Sequence, residues 1–275
     1  MSIAAYPGWP VRLENLVGDV VIAFPTYAME WETGGELRSS FADVPLDDYS
    51  FDLLGIRPSP RAASGESIRF VILGQNAQDV WRQYSDMRGK LARIGRGRLW
   101  VRDAVGTQYW CYVRPLNLAT TTLGVENLRH LPVTLSFKRL SDWLAAAASS
   151  ATFPGNGTHT LVVNGNVAVL DFTVEIVATA TNGYASPTIV NATTGEQFTI
   201  ARTAASNQHR LRVLTASWRA QESSNGGNSW IDVTASLTVP QLQPVVLRLM
   251  PGNNLLQVSG CPSANVLFSW YDAYA

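Results

Sequence analysis

Leu249-Met-Pro-Gly-Asn-Asn-Leu-Leu-Gln-Val258, followed by Asn265-Val-Leu-Phe-Ser-Trp-Tyr271, is the stretch that decides the fold. It reads as a strand, a Pro-Gly turn, a second strand and a last alternating strand that runs almost to the final residue. A chain that closes its core with its last residues is a sheet protein whose terminal strand is structural. Working backwards, strands are expected at His159–Val163, Val167–Ala178, Pro187–Asn191, Gln197–Ala201, Arg210–Leu214, Trp230–Val233 and Pro244–Leu249. Turn signals such as Asn164-Gly, Asn182-Gly and Asn225-Gly-Gly separate them. Strands at this spacing, with no convincing helix among them, predict a jelly-roll β-sandwich over 151–275.

The first half is predicted as strands around one helix. Asp19–Phe24 and Ser67–Leu73 are short apolar runs bounded by Pro25 or by Gly65 and Gly74. Ala77, Val80, Trp81, Tyr84, Met87, Leu91 and Ile94 then recur at helical spacing, predicting a helix over 77–94. Asn76 is suited to the N-cap, and Gly95 to the C′ position. Arg98–Arg102 and Gln108–Arg114 flank Asp103-Ala-Val-Gly and predict a hairpin, with Trp100 opposite Trp110. Val133–Lys138 alternates with period two, which turns Leu135 and Phe137 inward and Lys138 outward. Ala145–Thr152 is built of small residues and leads into Phe-Pro-Gly-Asn-Gly, so it reads as a linker, dividing the chain into 1–150 and 151–275.

Composition narrows the function. The formal net charge is zero, which argues against bulk nucleic-acid binding. Charged residues make up only 15% of the 275, as expected of a surface that other subunits cover. Lys90 and Lys138 are the only lysines; the other cations are arginines, which suit protein interfaces, although codon usage explains the bias equally well. Cys111 and Cys261 form no framework and are expected to be free thiols in a reducing cytoplasm. No secretory leader is expected, and no apolar run is long enough to span a bilayer.

Chemistry-bearing motifs are sparse. There is no nucleophile elbow and no phosphate loop. His130, His159 and His209 share no metal-ligand spacing, so no catalytic, cofactor or metal site is expected. Asp43, Asp47, Asp48 and Asp52 form an acidic cluster that reads first as a solvated or interface loop. The segment from Arg82 to Arg102 is strongly basic, and it reads first as the solvent face of an amphipathic helix and its following loop. A second reading pairs Arg88, Arg93 and Arg96 with Asp47 and Asp48 of a neighbouring copy, the head-to-tail contact that closes rings. Trp230, His209 and Asn228 are of the residue types that contact sugars, although core packing is the commoner fate of a tryptophan.

The order of these parts is similar to that of the distal tail proteins (Dit) of long-tailed phages. The resemblance covers nearly the whole chain in architecture. In sequence it rests on the Thr134-Leu-Ser-Phe…Asp142-Trp143 segment and on the Leu249-x-Pro-Gly-x-Asn254 turn. It implies a mostly β protein, with an N-terminal β-sandwich-like ring domain carrying one α-helix and a C-terminal galectin-like or jelly-roll β-sandwich. It further implies a homo-oligomeric, hexameric ring at the virion tail tip, between the tail tube protein and the baseplate hub. DNA would pass through the ring only as cargo, and receptor-binding or side-fibre proteins would attach at its periphery. Two other readings stay open: a carbohydrate-binding protein, and another tail component such as a tube or fibre-adaptor protein. A glycan-degrading enzyme using Asp47 and Asp52 is disfavoured, because no acid/base pair is recognisable.

Overall fold

The structure is a computed structural model that describes residues 9–25, 30–33, 41–43, 50–52, 58–59, 65–120 and 129–274. It is mostly β, with one α-helix among the described residues. The chain divides into two compact units, Met1–Leu144 and Ala145–Ala275.

The first unit contains β1 (Trp9–Asn15), β2 (Val20–Ala23), β3 (Glu30–Thr33), β4 (Phe41–Asp43), β5 (Ser50–Asp52), β6 (Pro58–Ser59), β7 (Gly65–Leu73), α1 (Ala77–Leu91), β8 (Gly97–Arg102), β9 (Gln108–Thr120) and β10 (His130–Arg139). The short strand β11 (Trp143–Ala145) follows. The main sheet runs in the order β2-β1-β8-β9-β10-β7-β3, antiparallel throughout. A separate small sheet has the order β4-β5-β6. The β8–β9 hairpin forms as predicted, with Trp100 opposite Trp110 and Leu99 opposite Cys111. One face of the main sheet meets α1. Leu13, Ile22, Ile68, Phe70, Leu99, Leu131 and Leu135 are buried, and α1 contributes buried Val80, Tyr84 and Leu91. The Tyr84 hydroxyl donates to the Leu118 carbonyl at 3.0 Å, so its polar end is satisfied inside the core.

Asn76 caps α1 as expected, its Oδ1 accepting the Asp79 N–H at 2.9 Å. The helix ends one turn before the predicted Ile94. Ala92 is the C-cap, and the Arg93 and Ile94 amides bond to the Lys90 and Leu91 carbonyls. This tightened turn satisfies the terminal carbonyls, so no left-handed C′ residue is needed and Gly95 does not serve as one. Gly97 matters for a different reason. A Cβ there would lie 2.5 Å from the Glu14 carbonyl, so β8 can approach β1 only with glycine at that point. Leu135 and Phe137 face inward as predicted, each about 1% exposed. Lys138 does not face solvent; it is buried and engaged. The end of β10 is covered on both faces, beside buried Glu66, which pairs with Arg139 at 3.2 Å, and alternation alone does not report a second covering layer.

The second unit contains β12 (Ser149–Pro154), β13 (Gly157–Val163), β14 (Phe172–Ala178), β15 (Thr188–Asn191), β16 (Glu196–Ile200), β17 (Arg210–Leu214), β18 (Arg219–Ser223), β19 (Ile231–Asp232), β20 (Leu237–Thr238), β21 (Gly252–Ser259), β22 (Ala264–Trp270) and β23 (Ala273–Tyr274). Two antiparallel sheets form a sandwich, in the orders β12-β22-β14-β17-β18-β19 and β13-β21-β15-β16-β20. Alternate residues of both sheets supply the core: Val174, Ile176, Leu211, Val213, Val266 and Phe268 from one, and Leu161, Ile189, Phe198, Leu256 and Val258 from the other. The closing strands predicted from Pro251-Gly252 onward are present, with Gly252 at φ 83° and β22 paired with both β12 and β14. Three expectations fail. Val167–Ala178 is a strand only from Phe172 onward, with isolated bridges at Val167 and Val169. Pro244–Leu249 is not a strand; it makes a single bridge, Val169 to Leu249. Ser149–Thr152 is not a linker; it belongs to β12, because backbone pairing to β22 does not depend on large side chains.

Candidate functional site

The segment Arg82–Arg102 does not act as one basic patch. Arg82 pairs with Asp79 at 2.7 Å and Lys90 with Asp86 at 2.7 Å, both on the exposed face of α1. Asp79, held by the Gln75 amide and by Arg82, stays below the usual carboxylate range. Arg98 lies over the Trp110 ring at 5.1 Å, and Arg12 over Trp100 at 4.3 Å. Trp100 also donates its ring N–H to Glu14 at 2.7 Å. Arg12, Trp100 and Trp110 are cross-strand partners and form an arginine–aromatic row, half-buried at Arg12 and Trp100 and buried at Trp110. Arg96 is half-buried and engaged. Arg88 and Arg93 are exposed, and among the described residues neither joins an ion pair. With Arg102, they are the exposed cations of this segment that join no ion pair among the described residues. Asp47 and Asp48, their proposed counterparts, lie outside the described residues.

In the second unit the predicted sugar-contact trio is not assembled. Trp230 has Arg212 over its ring at 4.0 Å, and Arg212 is itself held by Gln221 at 2.7 Å. His209 turns to the other side of β17, its Nδ1 3.5 Å from the Glu222 carboxylate. Asn228 spends its side-chain amide on the Asn225 carbonyl at 2.8 Å, closing the 225–229 loop on itself. One ring face is covered, one partner points away and one is consumed locally. The three residues therefore do not share one surface: Trp230 is engaged by Arg212, His209 by Glu222 and Asn228 by its own loop.

The interior holds polar groups that the sequence reading missed. Glu222 is buried between His209 and Arg202, and burial together with Glu222 raises the buried Tyr184 hydroxyl far above its ordinary value. Burial likewise pushes the Cys261 thiol up to about 12 and the Cys111 thiol well above its usual value, so neither is a nucleophile at neutral pH. Both cysteines are free. Among the described residues no three His, Cys, Asp or Glu side chains are grouped to hold a metal ion. No helix of the described residues is long and apolar enough to cross a membrane.

The fold has solved counterparts. Over 96% of this chain and 93% of the other, it matches SPP1 Dit (gp 19.1), described as a paradigm of the hub adsorption apparatus in Gram-positive infecting phages, with a TM-score of 0.56 and 11% identity. This chain has the SPP1 Dit fold. A baseplate structure of phage P2 in its activated conformation with Ca also matches, at a TM-score of 0.48 and 6% identity over 97% of this chain and 99% of that one. No protein-family model matches the chain, and no curated protein matches it. The Dit-like fold spans both units, as the sequence resemblance implied.

Proposed function

We propose that this protein is a structural, non-enzymatic ring adaptor of a long-tailed phage tail tip. The observation that carries the reading is the match to SPP1 Dit over nearly the full length of both chains. In this reading six copies close a ring between the tail tube protein and the baseplate hub. The first unit builds the ring, and the second carries peripheral receptor-binding or fibre proteins. DNA passes through the central opening. Low charge density supports a surface given over to subunit contacts, and Arg88 and Arg93 supply cations able to meet an acidic surface of the next copy, including Asp47 and Asp48.

Native mass spectrometry tests the reading directly. The expected species is six times the 30.0 kDa chain mass, and purified particles should contain the chain. Arg88→Glu together with Arg93→Glu should reduce the hexamer at least tenfold while leaving the melting temperature within about 2 °C, since exposed substitutions of this kind change stability by about 0.5 kcal/mol or less. A strictly monomeric chain at high concentration that is also absent from particles would sink the reading.

A further inference from the structure

Residues 145–170 contain no Asp, Glu, Lys or Arg. This segment builds two edge strands of the second unit, β12 and β13. Sheet edges carry a row of unpaired backbone donors and acceptors, and proteins ordinarily guard them with charge, proline, bulges or shortness. The edges on the far side of the sandwich follow that rule. β19 and β20 are two residues long, and Asp232 of β19 is clasped by Arg219 at 2.7 Å. β12 ends in Pro154. β13 has no such guard. It is Gly-Thr-His-Thr-Leu-Val-Val, pairs only with β21 among the described residues, and keeps an unbroken register from Gly157–Val258 to Val163–Gly252. No other hydrogen bond to the backbone of 157–163 exists among the described residues. Thr158, Thr160 and Val162 face outward and are exposed. Beside them on β21 lie exposed Leu255 and Gln257, so the sheet surface bordering this edge is uncharged too.

We propose that β13 is a docking edge that receives an extended, uncharged strand of a peripheral tail-tip protein by β-augmentation. The proposal rests on the role given above to the second unit as the attachment module. In an antiparallel pair every second residue aims its N–H and C=O at its partner, and the intervening residues aim theirs outward. The outward set on β13 spans seven residues, about 23 Å of strand at ~3.3 Å per residue. Main-chain bonding to that row supplies affinity, and the alternate side chains Thr158, Thr160 and Val162 meet the guest's side chains on the outer face. A strand rich in charge gains no ion pair anywhere along this edge, so the complementary guest is apolar or hydroxyl-rich.

Hydrogen exchange tests this on the full chain, alone and in tail tips isolated from particles. Alternate amides of 157–163 should exchange at least tenfold more slowly in the tail tip, with β19 and β20 unchanged. The combined variant Thr158→Lys, Thr160→Lys and Val162→Lys, whose side chains point to solvent, should lose that protection and carry at least tenfold fewer peripheral copies. If the variant fails to fold, the exchange comparison on the unmodified chain still decides. Tail tips that contain the chain but leave 157–163 exchanging as in isolation overturn the docking edge and leave the ring role standing. Protection that appears in the isolated chain as its concentration rises assigns the edge to a second copy and overturns the partner strand. Particles without the chain overturn the ring role and the docking edge together.

Discussion

Asn254 holds the turn that closes the sandwich. It is fully buried, and all of its polar atoms are used. Its Oδ1 accepts the Met250 N–H at 2.7 Å and the Asn191 side-chain amide at 3.1 Å. Its Nδ2 donates to the Met250 carbonyl at 2.7 Å. Asn191 extends the network to the Arg248 carbonyl at 2.7 Å, and Glu196 binds both the Arg248 amide and its guanidinium. Asn254→Ala strands several buried groups at once, and each unsatisfied group costs about 1–3 kcal/mol. The expected loss is about 2–4 kcal/mol, read as a lower urea midpoint at unchanged slope. The Pro-Gly turn was visible in the sequence. Asn254 belongs to that turn motif, but its burial is not legible there, because nothing local distinguishes a buried, saturated Asn from a solvated turn residue. The same limit applies to Trp230, His209 and Asn228, whose types suggested one site and whose neighbours place them in three different environments.

At the scale of single elements, α1 was the most legible. Its apolar spacing, its Asn76 cap and its place before the β8–β9 hairpin are all local signals, and all are present. Its end was misjudged because two competing C-terminal solutions, a glycine in the left-handed region and a tightened last turn, look alike in sequence. Strands β12 and β18 escaped notice for another reason. Ser-Ser-Ala-Thr and Arg-Ala-Gln-Glu-Ser carry little apolar contrast, and they are strands because β22 and β17 offer them backbone partners. Gly89 gives a clean test of the helix itself. It lies inside α1, and a Cβ there would meet nothing within 4 Å. Gly89→Ala should therefore stabilise the chain by about 1 kcal/mol from propensity alone. Calorimetry should show a rise of about 2–4 °C in the first unit's transition.

For the whole molecule, the decisive question is where the second unit begins. Composition placed the change near residue 150, because small residues followed by Pro154 and Gly155 look like a joint. Backbone pairing gives those residues a different role. Ser149 is registered against Trp270 and Ser150 against Ser269, and the Ser149 hydroxyl donates to Asp272 at 2.9 Å. Asp272 is buried and also accepts the Asn164 amide at 3.0 Å and the Trp270 ring N–H at 2.9 Å. The Ala145 amide bonds to the Asp272 carbonyl at 2.9 Å. A fragment of residues 145–275 keeps all of these bonds. A fragment of residues 151–275 removes the first two rungs of β12 and one ligand of a buried carboxylate, a loss of about 1–3 kcal/mol. Both fragments retain the two facing sheets and should be β by circular dichroism. The longer one should unfold cooperatively and keep Cys261 unreactive toward a thiol reagent at pH 8, since burial holds that thiol up to about 12. The shorter one should melt earlier and expose Cys261 at a measurable rate. Equal melting temperatures and equal thiol protection would mean that 145–150 contribute nothing to the second unit, and that the joint lies where composition put it.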